Sequence, residues 1–273
     1  MPLTDFQRRL LADLASAPRE DRYLAGGAAL HFAPDSIRYS DDLDFFHDAE
    51  ARVAAAFGAD RALLTRAGYA VDVELSLPGF VRAMVSRGGD ATRVDWAHDS
   101  AWRFMPLARD ALGGLLLHPV DLAINKVLAL AGRDEARDFV DMLYVHGRIL
   151  RLSALVWAGA GKDPGLTPLS LLELLQRRGR YRPEDFERLA LVEPFDLPRA
   201  RRTWLEALGE AGSFVRNRPL AEYGCLYYST REHRFVVPDA GVSLGDQSVV
   251  AHFGKPGGVL PRLADARIEP DEA

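Results

Sequence analysis

An α/β fold, a small mixed sheet with flanking helices followed by a helical C-terminal half, is predicted from three features of the sequence. Between about residues 71 and 97, apolar and polar residues alternate as in strands, with a glycine-rich turn between two of the runs. After about residue 118 the pattern becomes helical, with glycine and proline separating the segments. The first half also holds a glycine pair and a compact acidic run, both bordered by apolar strand-like residues. These shifts divide the chain into an α/β part at 1–118, a helical part at 119–220, and a strand pair with an irregular tail at 221–273.

Thr4 to Ala15 reads as a first helix, with Phe6, Leu10, Leu11 and Leu14 on one face. Asp21 to Ala25 is extended and runs into Gly26-Gly27, after which Ala28 to Phe32 opens a helix. Pro34, Asp35 and Ser36 make a turn. Leu43 to Phe46 is a strand, and Glu50 to Ala67 is a helix rich in alanine and leucine. Strands follow at Val71 to Leu77, Phe80 to Ser86 and Thr92 to Ala97, with Arg87-Gly88-Gly89-Asp90 as a hairpin turn. Pro119 occupies a first-turn position and opens a helix to Ala131. Further helices are expected at 134–152, 168–178, 183–191 and 197–214, and two strands within 223–237.

Hydrophobic residues make up 48% and charged residues 27% of the 273, which fits an ordinary soluble globular protein. No apolar run approaches the ~18 residues of a membrane span, and the start lacks the apolar core of a signal peptide, so a cytoplasmic protein without membrane partners is expected. The single cysteine, Cys225, excludes an internal disulfide and a cysteine-built zinc site. The seven histidines show no zinc-type spacing. A net charge of −5 argues against a wholly basic nucleic-acid-coating surface, though not against a local patch. Lys126, Lys162 and Lys255 are the only lysines among 34 basic residues. Each therefore marks a place where lysine was used in an arginine-biased chain.

Ser40-Asp41-Asp42-Leu43-Asp44-Phe45-Phe46 carries the most chemistry. On a strand, Asp42 and Asp44 project from one face while Leu43 and Phe45 enter the core. Two carboxylates so close raise each other's proton affinity unless a cation lies between them. Magnesium suits such a pair, because it takes carboxylate oxygens and shares its other positions with substrate phosphates. A solvated acidic turn is the bland alternative. Upstream, Gly26-Gly27 sits between a strand and a helix start, where a phosphate can approach the backbone.

Tyr23-Leu24-Ala25-Gly26-Gly27-Ala28-Ala29-Leu30 followed by Arg38-Tyr39-Ser40-Asp41-Asp42-Leu43-Asp44-Phe45-Phe46 resembles the opening of the AbiEii/AbiGii-type nucleotidyltransferase toxins, of the polymerase-β-like superfamily. Asp121 to Leu130, then Arg133 and Arg137-Asp138-Phe139-Val140-Asp141, resemble that family's lysine helix and arginine–aspartate helix. The likeness covers roughly residues 20 to 150. It implies that Asp42 and Asp44 bind Mg2+ (or Mn2+), that Gly26, Gly27 and Ser40 receive the triphosphate of an NTP, that Lys126 contacts its phosphates, and that Asp138 completes the site. A third carboxylate is expected from a neighbouring strand: Asp95, with Glu74 in reserve. The alternative reading of Asp95 is a strand-end residue paired with an arginine. Ala28 departs from the family's usual Thr or Ser, which removes a hydroxyl of ~1.5–3 kcal/mol toward a charged group.

The resemblance implies nucleotidyl transfer to RNA, with a tRNA 3′ end favoured, or to a protein hydroxyl, by a toxin with a cognate antitoxin. The alternative is a weakened nucleotidyltransferase fold acting as a binding module. Arg177, Arg178, Arg180, Tyr181 and Arg182, with Arg199, Arg201 and Arg202, are candidates for an RNA surface, Tyr181 stacking on a base, or else solvated helix faces. DxD motifs also occur in glycosyltransferases and haloacid dehalogenase phosphatases. The glycine pair and the Lys126–Asp138 block fit the former poorly, and Arg38-Tyr39-Ser40 ahead of the motif does not fit the latter.

Overall fold

The computed structural model describes residues 3–17, 22–33, 36–112, 114–238 and 248–261. Helix α1 (Asp5–Ala15) begins at Thr4, whose hydroxyl accepts from the Gln7 amide while the Gln7 side chain accepts from the Thr4 amide. Strand β1 (Tyr23–Ala25) passes directly into the five-residue helix α2 (Gly26–Leu30). Strand β2 (Asp42–His47) and helix α3 (Glu50–Arg66) follow, the latter burying Val53, Ala56, Asp60 and Leu64 on one stripe. Next come β3 (Ala70–Leu77), β4 (Phe80–Arg87) and β5 (Asp90–His98). The β4–β5 turn uses Gly88 and Gly89 at φ +64° and +93°, the left-handed pair that matches strand twist.

Three two-residue strands, β6 (Trp102–Arg103), β7 (Ala108–Arg109) and β8 (Leu115–Leu116), precede the helical half. That half contains α4 (Pro119–Gly132), α5 (Ala136–Arg148), α6 (Leu152–Lys162), α7 (Pro168–Gln176) and α8 (Leu197–Asn217). Strands β9 (Leu226–Ser229), β10 (Arg234–Val236), β11 (Val249–His252) and β12 (Lys255–Pro256) end the described chain. The main sheet is mixed, with order β3-β4-β5-β2-β1-β8-β7; β2 runs parallel to β5 and β1 parallel to β8. The fold class expected from the sequence is therefore the one found. Apolar packing continues from Leu3 in the first half to Tyr227 past the last helix. Among the described residues no helix is long and apolar enough to cross a membrane.

Several expected elements differ. Helix α6 was not expected, because its sequence is apolar all round: Leu152 to Ala160 are all buried, against α4, α7 and α8, so no amphipathic period marks it. The expected helix at 134–152 ends at Arg148. The expected helix at 183–191 is only a 3-10 turn at Pro183–Asp185. Single turns follow at Glu187 and Leu189, and the chain then bonds across to 37–39: Ala190 carbonyl accepts from Tyr39 N–H at 2.8 Å, and Val192 N–H donates to Ile37 carbonyl at 2.9 Å. The tail also has structure at 248–261. Strand β11 joins β9, and β12 pairs with β6 in the first half. Pro34 and Asp35 of the expected turn, with 239–247 and 262–273 of the tail, lie outside the described residues.

Candidate active site

Asp42, Asp44 and Phe46 alternate with core residues Leu43 and Phe45 along β2, and all three line a cleft of about 410 Å³. The parallel neighbour β5 sets Arg93 opposite Asp42 and Asp95 opposite Asp44. Three carboxylates thus share one face of two adjacent strands. Six cationic side chains line the same cleft: Arg38, Arg82, Arg93, Lys126, Arg133 and Arg137. In the lining, cations outnumber carboxylates two to one, with Asp138 and Asp141 pairing Arg133, Lys126 and Arg38 from behind; the groups presented to a ligand are thus mainly cationic, as suits a polyanion.

The carboxylates differ in their surroundings. Asp42 accepts from Arg93 Nη2 at 2.8 Å and from Ser40 Oγ at 3.3 Å, with Arg137 Nη1 3.8 Å away. Burial works to raise the Asp42 carboxyl, but Arg93 and Arg137 outweigh it and hold the group below its ordinary value. Asp95 accepts both N–H groups of the Arg82 fork, at 2.8 and 2.6 Å. Asp44 has no hydrogen bond or ion pair to any described residue. Burial, then the charges of Asp42 and Asp95, push its carboxyl up to about 6.

The glycine pair exists to fit this face. Gly26 has φ +64°, and a Cβ there would lie 1.8 Å from Asp44 Oδ2. A Cβ on Gly27 would meet Arg38 Nη2 at 2.7 Å and Ser40 Oγ at 2.9 Å. Both glycines line the cleft. Ala28 does not: it is fully buried in the core, so the hydroxyl missing at this position is not missing from the cleft wall.

The opposite wall comes from α4 and α5. Lys126 is 7% exposed, its Nζ lying 2.7 Å from Asp141 and 3.4 Å from Asp138. Asp141 is fully buried and also accepts the Arg38 fork, at 2.6 and 2.8 Å, and His31 Nε2–H at 2.7 Å. Burial opposes ionisation of Asp141, yet Lys126, Arg38 and His31 hold its carboxyl well below the ordinary value. Burial pushes His31 down despite Asp141; its neutral ring accepts from the Ser36 hydroxyl at Nδ1. Asp138 accepts from Arg133 at 2.6 and 3.1 Å and is fully buried. It lies behind Lys126 and Arg133 and is not part of the cleft lining.

The structure therefore brings Gly26, Gly27, Asp42, Asp44, Asp95 and Lys126 to one cleft, sets Ser40 against Asp42, and leaves Asp138 in the layer behind. Glu74 is exposed on β3 and does not reach the cleft. Sequence reasoning gave no role to Asp141, Arg38, Arg82, Arg93, Arg133 or Arg137. For Asp141 a signal was present: it follows Asp138 by three residues, hence on the same helical face. Arg82 had none, since its place depends on strand register. Tyr181 is not the stacking platform considered for it. Its ring is buried beside Phe139 and Phe186. Of the nearby arginines, Arg178 donates to the Leu130 and Ala131 carbonyls and Arg201 to that of Tyr181, while Arg177, Arg180, Arg182, Arg199 and Arg202 are exposed.

Whether the residues fit a divalent cation can be judged from the donor set. Among the described residues, no three His, Cys, Asp or Glu side chains are already gathered as a metal cage. Asp42 and Asp95 are turned to arginines instead. Even so, three hard oxygen donors on one face, one of them unpaired and made basic by burial and by the other two, suit Mg2+ or Mn2+. The fit is good.

No protein-family model and no curated protein matches this sequence. Solved structures do. JHP933 from Helicobacter pylori is 17% identical, with 77% of this chain and 88% of that one covered and a TM-score of 0.49. MenT4, a nucleotidyltransferase toxin from Mycobacterium tuberculosis H37Rv, is 16% identical, with 79% and 83% covered and a TM-score of 0.52. The likeness to MenT4 establishes the architecture: this chain has a nucleotidyltransferase fold.

Proposed function

We propose that the protein is a Mg2+-dependent (or Mn2+-dependent) nucleotidyltransferase of the AbiEii/AbiGii toxin type. It moves a nucleoside monophosphate from an NTP to a hydroxyl of RNA, a tRNA 3′ end being favoured, or of a protein, and a cognate antitoxin restrains it. One observation carries this reading: the row of Asp42, Asp44 and Asp95 faces a cleft with twice as many cationic side chains as carboxylates. Carboxylates without cations would suit a metal alone, and cations without carboxylates an anion alone. Together they suit a metal–triphosphate complex.

Asp42, Asp44 and Asp95 would hold the cation, which when bound polarises the reacting phosphoryl group and lowers the pKa of the attacking hydroxyl. Lys126, fixed by Asp138 and Asp141, presents a point charge to the donor phosphates. Arg133 and Arg137 stand on the same wall. The acceptor oxygen bonds to the α-phosphorus and its proton passes to solvent, while the bond from the α-phosphorus to the α–β bridging oxygen breaks; pyrophosphate leaves with the negative charge these side chains balance. A second cavity, of about 670 Å³, shares Arg137 with the cleft; Asp134, Glu135, Glu184 and Asp185 line it beside Arg180 and Arg188, so its charge does not select a polyanion. The fold shared with MenT4, named a toxin, supports the toxin role. Ala28 is buried in the core rather than on the cleft wall, which removes the missing hydroxyl as an argument for the weakened binding module.

The test is incubation with Mg2+, each α-labelled NTP and total bacterial tRNA, beside Asp42→Asn and Asp44→Asn. Label on RNA from the unmodified protein alone is expected, and label on a protein band would move the acceptor. Absence of transfer together with absence of nucleotide binding refutes the catalytic reading.

A further inference from the structure

Four of the six cleft cations fall into two classes, while Arg133 and Arg137 pair with Asp138 and Glu135 on the helical wall. Lys126 and Arg38 are locked, with side chains 8% and 6% exposed and bound to the fully buried Asp141. Arg82 and Arg93 are held only at their tips. Their side chains are 35% and 36% exposed, while the partners Asp95 and Asp42 are only 8% and 12% exposed. Each is the direct cross-strand neighbour of its aspartate, Arg82 opposite Asp95 and Arg93 opposite Asp42. Arg93 Nε, moreover, is buried with no acceptor.

We propose that Arg82 and Arg93 are exchangeable counter-ions of the carboxylate row. In the metal-free protein they occupy Asp95 and Asp42; they give these oxygens up when a divalent cation binds, and the freed guanidiniums take a substrate phosphate. This rests on the nucleotidyltransferase reading and adds an order of events, cation before anion. Asp95 gives both oxygens to the Arg82 fork, at 2.8 and 2.6 Å, so a cation on Asp95 must displace that fork. The displaced side chain stays beside the cleft that it lines, and its planar donor pair matches phosphate as well as carboxylate. Arg93 gains the acceptor that its Nε lacks. The phosphate belongs either to the triphosphate donor or to a polynucleotide acceptor.

Mn2+ titration of the whole protein, followed by the paramagnetic resonance of free Mn2+, separates these ideas. Asp44→Asn is expected to lose binding. Arg82→Gln and Arg93→Gln are expected to bind Mn2+ about 2- to 5-fold more tightly than the unmodified protein, the worth of a partly exposed ion pair with good geometry. In saturating Mn2+ the same variants are expected to bind inorganic triphosphate or a single-stranded oligoribonucleotide several-fold more weakly. Loss for triphosphate assigns the arginines to the donor, and loss for the oligonucleotide to the acceptor. Arg82→Lys, which keeps charge without the fork, should fall between for Mn2+ and covers the case of a Gln variant that does not fold. Equal or weaker Mn2+ binding by the arginine variants, with Asp44→Asn still defective, overturns the exchange and leaves the nucleotidyltransferase reading intact. Undiminished anion binding also overturns the exchange. An unmodified protein that binds no Mn2+ overturns both.

Discussion

Replacing Asp44 by Asn should make the metal-free protein more stable at neutral pH, although it removes a central residue of the proposed site. Burial and the charges of Asp42 and Asp95 raise the Asp44 carboxyl from 3.8 to about 6. Each tenfold gain in proton affinity corresponds to about 1.4 kcal/mol, so holding Asp44 ionised costs about 3 kcal/mol at most. The sign follows from the unfolded chain, which binds the Asp44 proton less tightly than the folded one does. Stability from this group is fully present below pH 3.8 and is lost as pH rises through about 6. Asp42 and Asp141, whose carboxyls are held low, act in the opposite sense below pH 3.8, outside this window. Urea denaturation in EDTA from pH 4 to 8 measures the effect, with Trp96 in the core as a fluorescence probe. The unmodified protein should lose up to ~3 kcal/mol relative to Asp44→Asn across pH 4–7. Millimolar Mg2+ should restore it, by mass action, in the unmodified protein alone. A stability difference that stays constant with pH would refute the reasoning, because Asp44 would then ionise without penalty.

Further outcomes follow from other contacts. Asp141→Asn leaves Arg38 buried without its anion and Lys126 with Asp138 alone, at 3.4 Å, and should cost about 3–5 kcal/mol, seen as a large fall in urea midpoint. Gly26→Ala puts a Cβ 1.8 Å from Asp44 Oδ2 at φ +64°, so calorimetry should show weakened Mn2+ binding with about 1–2 kcal/mol of backbone strain in denaturation. Lys126→Met should abolish most nucleotide affinity while leaving Mn2+ binding in place, measured by fluorescent-nucleotide titration. Asp60→Ala removes the partner of buried Arg22 and the acceptor of Trp96 Nε1–H at 2.9 Å. It should destabilise by about 3–5 kcal/mol without changing Mn2+ affinity, since the trio lies outside the cleft lining.

By itself the sequence determined what local chemistry determines. The period-two run of β2 placed Asp42 and Asp44 on one face, and Gly88-Gly89 fixed a hairpin through two positive φ angles. Pro119 opened α4 and so set Lys126 on its helix. Only the tertiary structure decided the partners. Arg82 meets Asp95 through an antiparallel register, and Arg38 meets Asp141 across 103 residues, neither of which leaves a periodic trace. Helix α6 escaped notice because a helix buried on every side has no polar face to give it a period. The end of the segment 183–191, which reads as helix, instead runs beside residues 37–39, where Ala190 and the following Val192 bond to Tyr39 and Ile37. Gly26 shows the division most clearly. Its sequence suggested room for a phosphate, whereas the fold puts the Asp44 carboxylate beside it. Conformational freedom belongs to a residue type and can be read from the chain; what fills the space depends on which distant segment packs there.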